Sequence, residues 1–221
     1  MKITEKRVVL FLLFIFPLIC FLILSTGKNN FTKLPVVTEN VIDISLIKSS
    51  KTFKDHISVV CFLGDNIELN KGGFFNLNEK IYKNFIKYKQ FQIIAIYPKD
   101  KEVEVTALKK EISAFTDMAK WNFVAANKEE IKILFDSLKT NENLANLYTS
   151  KVFLIDKKGN LRGRTIDKDS TIDGKLFGYN MQSVAELNAK LKDDIKVLYY
   201  EYYAAFKNKN ENKADRKEVG L

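Results

Sequence analysis

Few side chains in this chain are suited to chemistry, and their spacing does not bring them together. The 221 residues include two cysteines, Cys20 and Cys61, and one histidine, His56. Cys20 falls inside a long apolar run and Cys61 inside Ile57–Leu63, a run expected to form a buried strand. They cannot pair within one chain, so the sequence predicts no internal disulfide and no two-cysteine redox centre. Cys61, flanked by Val59, Val60, Phe62 and Leu63, reads as a core residue whose burial raises its pKa. The sharper reading makes it a lone nucleophile or redox thiol. His56 precedes that strand at an expected surface loop, where a general base has no visible nucleophile to serve. Asp65, Asp100, Asp167, Asp169 and Asp173 are candidates for a cation site. Asp167-x-Asp169-x-Thr171-x-Asp173-Gly174 echoes a calcium loop, but its Gly comes one residue late and no Glu closes it. A solvated acidic loop is the plainer reading. The residues therefore assign no catalytic position, no cofactor site and no metal site.

The N-terminus is more informative. Lys2, Lys6 and Arg7 precede Val8–Leu24, seventeen residues without a charge, and Ser25-Thr26-Gly27 extend the run to twenty. Twenty helical residues at about 1.5 Å each cover roughly 30 Å, the depth of a bilayer's hydrocarbon core. A cleaved signal peptide ending at Ser25-Thr26-Gly27 is the competing reading, but its apolar stretch is usually shorter. A lipoprotein reading through Cys20 fits poorly, because Ile19 stands where a small residue is wanted. Basic residues on the N-terminal side place that end in the cytoplasm. The expected organisation is a cytoplasmic N-terminus (1–7), a transmembrane anchor (8–27), a tether (28–35), an extracytoplasmic domain (36–206) and a charged tail (207–221) without fixed structure. The expected location is the cell inner membrane, single-pass, with the globular part on the periplasmic side and the lipid bilayer as its first partner. Formal net charge is +9. The lysines are scattered and no nucleic-acid motif is present, so a Lys-rich surface beside an anionic membrane is expected rather than nucleic-acid binding.

These residues must be positioned by a modest set of elements. Val36–Ile47 suggests an edge strand or two short ones. Ile57–Leu63 and Gln92–Tyr97 read as strands buried on both faces. Asn70-Lys71-Gly72-Gly73 reads as an exposed loop, followed by a helix with Leu77, Ile81, Phe85 and Tyr88 on one face. A second helix carries Leu108, Ile112, Phe115 and Met118-Ala119. Trp121–Ala126 is a short strand and Glu129–Leu138 a third helix. Lys151–Asp156 and Leu161–Ile166 flank the turn Lys157-Lys158-Gly159-Asn160, a hairpin signal. The last helix opens with a capping box, Ser183-x-x-Glu186, and continues along Val184, Leu187, Leu191, Ile195, Leu198 and Tyr202. Tyr199-Tyr200-Glu201-Tyr202-Tyr203 is its oddest stretch. Some of its rings are expected on the sheet and the rest exposed, with a partner or membrane-surface contact as the alternative.

Alternating strands and helices imply a parallel core. With a closing β-hairpin and a C-terminal helix, the order is that of an α/β, three-layer α/β/α, thioredoxin-like domain preceded by one transmembrane helix. Over roughly residues 35–200 the chain resembles the Sco (SenC) proteins, membrane-tethered thioredoxin-like domains that deliver copper during cytochrome oxidase assembly. The likeness rests on Ser58–Leu63, on Ile94-Ala95-Ile96-Tyr97-Pro98-Lys99-Asp100, on Trp121-Asn122-Phe123, and on Phe153-Leu154-Ile155-Asp156-Lys157-Lys158-Gly159-Asn160-Leu161-Arg162-Gly163. The family's copper site implies a Cys-x-x-x-Cys loop after the first buried strand and a later histidine. By position these fall near Ile67-Glu68-Leu69-Asn70-Lys71 and near Tyr148, which offer no thiol and no imidazole. Copper(I) prefers soft thiolate donors, so the resemblance carries over a fold and no ligand. The expected function is non-enzymatic: a binding or scaffold subunit, with an unidentified envelope membrane protein as partner, in respiratory-complex biogenesis. The alternatives are a rewired thiol- or metal-handling protein or reductase-like enzyme that uses the loop Asn66–Phe75 with Cys61 or His56 taking part, and a small-ligand sensor using a cleft beside Gly72-Gly73.

Overall fold

The strand Ile57–Phe62 organises the molecule, because every one of its six residues is buried. A strand buried on both faces needs helices on both sides of its sheet, and the chain supplies them. The computed structural model describes residues 5–25, 33–47, 50–167 and 174–218. It divides into two units, Met1–Thr32 and Lys33–Leu221.

The first unit contains helix α1 (Glu5–Ser25), 21 residues with Pro17 inside. Its apolar side chains are largely exposed. Among the described residues no helix is long and apolar enough to cross a membrane.

In the second unit the chain order is β1 (Val36–Thr38), a 3-10 turn (Ile44–Ile47), β2 (Ile57–Phe62), α2 (Ile67–Leu77), a π turn (Asn78–Tyr82), α3 (Lys83–Phe85) and β3 (Phe91–Pro98). A 3-10 turn (Lys99–Lys101), α4 (Glu102–Ser113), β4 (Trp121–Ala126), α5 (Lys128–Ser137), β5 (Lys151–Ile155), β6 (Leu161–Arg162) and β7 (Tyr179–Asn180) follow. The chain closes with α6 (Val184–Glu186), a π turn (Leu187–Leu191) and α7 (Lys192–Glu218). The sheet order is β1-β6-β5-β2-β3-β4, with β7 on β5. Strands β2, β3 and β4 run parallel, whereas β5 lies antiparallel to β2, and β6 antiparallel to β5.

Alternation along β2 sorts the core into two layers. Val59, Cys61 and Leu63 pack with Phe74 and Leu77 of α2 and Ile81 of the π turn after it, and with Leu187 and Leu191 of the second π turn and Ile195 and Leu198 of α7. Val60 and Phe62 pack on the other face with Ile131, Leu134 and Phe135 of α5 and with Ile44 and Phe53. The result is a thioredoxin-like α/β/α domain with a mixed sheet.

Several elements differ from the sequence reading. The second half of Val36–Ile47 is a 3-10 turn rather than a strand. Asp43 organises it, accepting from Ser45 N (2.8 Å), Thr52 Oγ1 (2.8 Å) and Phe53 N (2.9 Å). Gly72-Gly73 is not a loop but lies within α2, where a Cβ on Gly73 would meet Met181 and Gln182 at 2.9 Å. Phe115 falls beyond α4 and is exposed rather than on its apolar face. The closing hairpin is short, with β6 ending at Arg162. Backbone helix continues through Glu218 in the segment expected to lack structure, consistent with its Lys, Glu and Ala content. The aromatic stretch of α7 divides as the plainer reading expects. Tyr199 stacks on Phe85 and packs at a tilt against Tyr88, Lys157 sits 4.6 Å over Tyr202, and Tyr203 is exposed.

Asp43 also sets an acid sensitivity. Burial works to raise its pKa, but the hydrogen bonds from Ser45, Thr52 and Phe53 overcome burial and hold it below its ordinary value near 3.8. A depressed folded-state pKa contributes stability above the unfolded value, and that contribution is lost as pH falls through the folded value. Asp43→Asn should therefore cost stability at neutral pH and flatten the loss below about pH 4, which urea titrations at pH 7 and pH 3 would resolve.

Candidate functional site

In an open sheet with parallel strands, sites form beyond the carboxyl ends of those strands. Here that place is the turn from β2 into α2. Leu63 bridges to Tyr148, Gly64 turns the chain at φ +70°, and Asp65 N donates to Asn146 O at 3.0 Å. Helix α2 then begins at Ile67, and its N-cap residue Asn66 makes no side-chain cap hydrogen bond. Opposite stands the segment before β5, with Asn146 and Leu147 both at positive φ (50° and 60°). A leucine in the left-handed region is strained, and here it delivers Tyr148 to the turn. A Cβ on Gly64 would lie 2.4 Å from Tyr148 Cβ and 2.9 Å from Asn146 O, so the two segments touch only because residue 64 is glycine.

Gln182 closes the apex. Its Nε2 donates to Tyr148 Oη at 3.1 Å, and a Cβ on Gly73 would meet Gln182 and Met181 at 2.9 Å. Asn76 Nδ2 donates to Met181 O at 3.2 Å, fixing the same segment. The cleft expected beside Gly72-Gly73 is therefore filled by Met181 and Gln182. Burial raises the Tyr148 pKa, the Gln182 hydrogen bond opposes it, and Cys61 adds to the rise. The phenol stays protonated at neutral pH.

The sequence candidates are dispersed. Cys61 is fully buried, its Sγ lies 3.7 Å from Ile94 O, and burial pushes its thiol up. His56 lies in the bend just before that strand, five residues back from Cys61 and roughly 16 Å away at the usual rise; its Nδ1 is 2.8 Å from Lys54 O. The alternative reading that has Cys61 or His56 carry chemistry therefore finds one inside the core and the other at the far end of the sheet. Asp65 reaches Lys128 at 3.9 Å, and Asp167 is held by Lys190 at 2.7 Å. Asp169, Thr171 and Asp173 lie outside the described residues. Among the described residues no three His, Cys, Asp or Glu side chains form a group able to hold a metal ion. Asn146, Leu147 and Gln182 were not legible as site residues. Nothing local marks a leucine for positive φ, and Gln182 stands out only once Gly73 is seen beneath it.

The donor set at the apex does not suit copper(I). Ile67 is buried hydrocarbon, Glu68 is paired with Lys71, and Tyr148 is a protonated phenol. None of these is the soft thiolate that copper(I) selects.

No family model matches the chain, and no curated protein does. Solved structures do. BsSco, a member of the Sco family of cytochrome c oxidase assembly proteins, aligns with 12% identity over 75% of this chain and 98% of its own, with a TM-score of 0.50. A SCO1/SenC family lipoprotein from Bacillus anthracis aligns with 14% identity over 78% and 99%, TM-score 0.43. Copper-bound ScoI from Bradyrhizobium japonicum aligns with 16% identity over 65% and 89%, TM-score 0.37. At such identities the likeness speaks to fold and not to activity. The domain is thus a thioredoxin-like fold similar to that of Sco-family structures, with an apex built of amide, phenol and hydrocarbon.

Proposed function

We propose that this chain is a membrane-anchored, extracytoplasmic thioredoxin-fold protein without a redox or copper site. It acts as a binding or scaffold subunit at the inner membrane, in respiratory-complex biogenesis. The observation that carries this reading is the apex itself. Tyr148, Gln182 and the Gly64 turn are closely fitted to one another, while the domain's thiol, Cys61, is buried against Ile94 O. The charge-free run Val8–Leu24 after Lys6 and Arg7 supports the anchor, and the likeness to BsSco, a member of a family of cytochrome c oxidase assembly proteins, motivates the pathway.

The test is a copper(I) titration of the full chain in neutral detergent against a competing chelator, with Cys61→Ser alongside. Neither protein should take up a stoichiometric ion. Tight binding lost in Cys61→Ser would overturn the reading and make the chain a rewired metal carrier. Intact mass of the membrane-extracted protein tests the anchor: residues 1–27 should be retained.

A further inference from the structure

An aromatic strip on α7 stands uncovered beside the point where the chain enters the domain. Arg162 donates from Nη1 to the carbonyl of Leu34 and from Nη2 to Glu201 Oε1 at 2.7 Å. One guanidinium thus clasps Leu34, buried at the start of the domain, and a turn of α7. Tyr203 and Phe206 follow Glu201 by two and five residues, about 3 and 7.5 Å further along the helix axis. They are 65% and 64% exposed. Tyr200, partly buried, precedes them, and its ring centroid lies 6.4 Å from that of Tyr203. Spaced three apart, the rings form one oblique strip along the helix.

Ile195 and Leu198 of the same helix are fully buried, so α7 changes from a core element to an exposed aromatic one at the turn that Arg162 grips. The helix backbone then runs on through Glu218. Residues 207–218 hold five basic and three acidic residues, a net charge of +2. Exposed rings followed by net positive charge suit a helix lying in a headgroup layer. Reach agrees with the chemistry. Leu34 is seven residues past Gly27, where the uncharged run ends, and seven extended residues span at most about 25 Å. A domain tied to a bilayer by that length keeps its entry point, and the strip clasped beside it, near the headgroups.

We infer that the aromatic strip of α7 docks on the anionic surface of the membrane that holds the anchor. Tyr203 and Phe206 enter between the headgroups, where a ring has one apolar and one wet side. The net positive segment after them is drawn to anionic lipid. A second copy is the poorer occupant, because two such segments repel each other. The inference rests on the anchor proposed above and on nothing at the apex.

Phe206→Trp adds a reporter to a chain whose one tryptophan, Trp121, is 6% exposed. The full chain is reconstituted in vesicles of brominated phosphatidylcholine, with and without phosphatidylglycerol, and the vesicles are floated. With the anionic lipid, the brominated chains should quench the added emission and spare that of Trp121. Added salt should relieve the quenching. Lys207→Gln/Lys209→Gln should lower the docked-to-free ratio by about tenfold, with thermal stability unchanged. A chain that floats with its added emission unquenched overturns the docking and leaves the anchor standing. A chain that does not float overturns the anchor, and the docking with it. Quenching that is equal without phosphatidylglycerol, or unaltered in the double variant, overturns the role of charge. Added emission that shifts to the blue only as protein density rises assigns the strip to a second copy and overturns the docking.

Discussion

Arg162→Ala should lower the free energy of unfolding by about 3–5 kcal/mol, the usual cost of breaking a buried ion pair on one side. Arg162 Nε donates to Asp156 Oδ2 at 2.9 Å, Nη2 to Glu201 Oε1 at 2.7 Å, and Nη1 to the carbonyl of Leu34. The side chains of Arg162 and Asp156 are 7% and 2% exposed, so water does not replace what the guanidinium supplies. Burial alone would lower the Arg162 pKa; Glu201 and then Asp156 outweigh it and raise the net value. Asp156 also accepts from Lys158 N and Asn160 N, both at 2.9 Å, so its loss of a partner disturbs the hairpin turn. Urea denaturation reads the effect. As a control, Lys196→Ala removes a pair whose side chains are 55% and 57% exposed and should leave the midpoint unchanged. If Arg162→Ala matches that control, the network contributes no stability.

Gly64→Val should cost about 3 kcal/mol or more, because two penalties fall on one position. The backbone sits at φ +70°, a region closed to β-branched residues. The added carbon would also lie 2.4 Å from Tyr148 Cβ. Gly159 separates the two penalties: it has φ +80°, but its nearest neighbour, Val41 O, is 3.9 Å from the added carbon. Gly159→Ala should therefore lose only the conformational part, about 1–2 kcal/mol. Hydrogen exchange at the Asp65 amide localises the damage, since that amide bonds Asn146 O across the contact. Unchanged protection there in Gly64→Val, with the protein folded, would show that the two segments do not depend on each other.

The parts of the fold legible in the sequence are those where burial dictates residue type over a whole element. Strands β2 and β3 are fully buried, and continuous apolar runs follow. Helix α5 was legible to within a residue at each end, because Ile131, Leu134 and Phe135 recur on one buried face. What misled was local chemistry answering to a distant contact. Gly72-Gly73 has the composition of a loop, yet the pair lies within α2, and Gly73 leaves room there for Met181 and Gln182. Strand β7 has two residues and rests on β5 alone, too short for any period. The apex was legible only in outline. Its place after β2 and the position of Tyr148 followed from resemblance, whereas the positive φ at Asn146 and Leu147 has no signature in those residues. The Arg162 network was invisible because Arg162 bonds a carbonyl 128 positions away.

The grip of Arg162 on the Leu34 carbonyl has a mechanical meaning. Leu34 is buried near the start of the domain, so a pull on the preceding chain enters the fold there. Arg162 passes that load to Glu201 in α7 and to Asp156 in the hairpin turn, while β1 shears against β6. The hydrogen bonds of the Gly64 turn and Tyr148 go to Asn146, Ala145 and Gln182, not to Arg162 or its partners. The domain can strain against whatever holds its N-terminal side without deforming its apex, as a bracket bolted at one flange keeps its opposite face true.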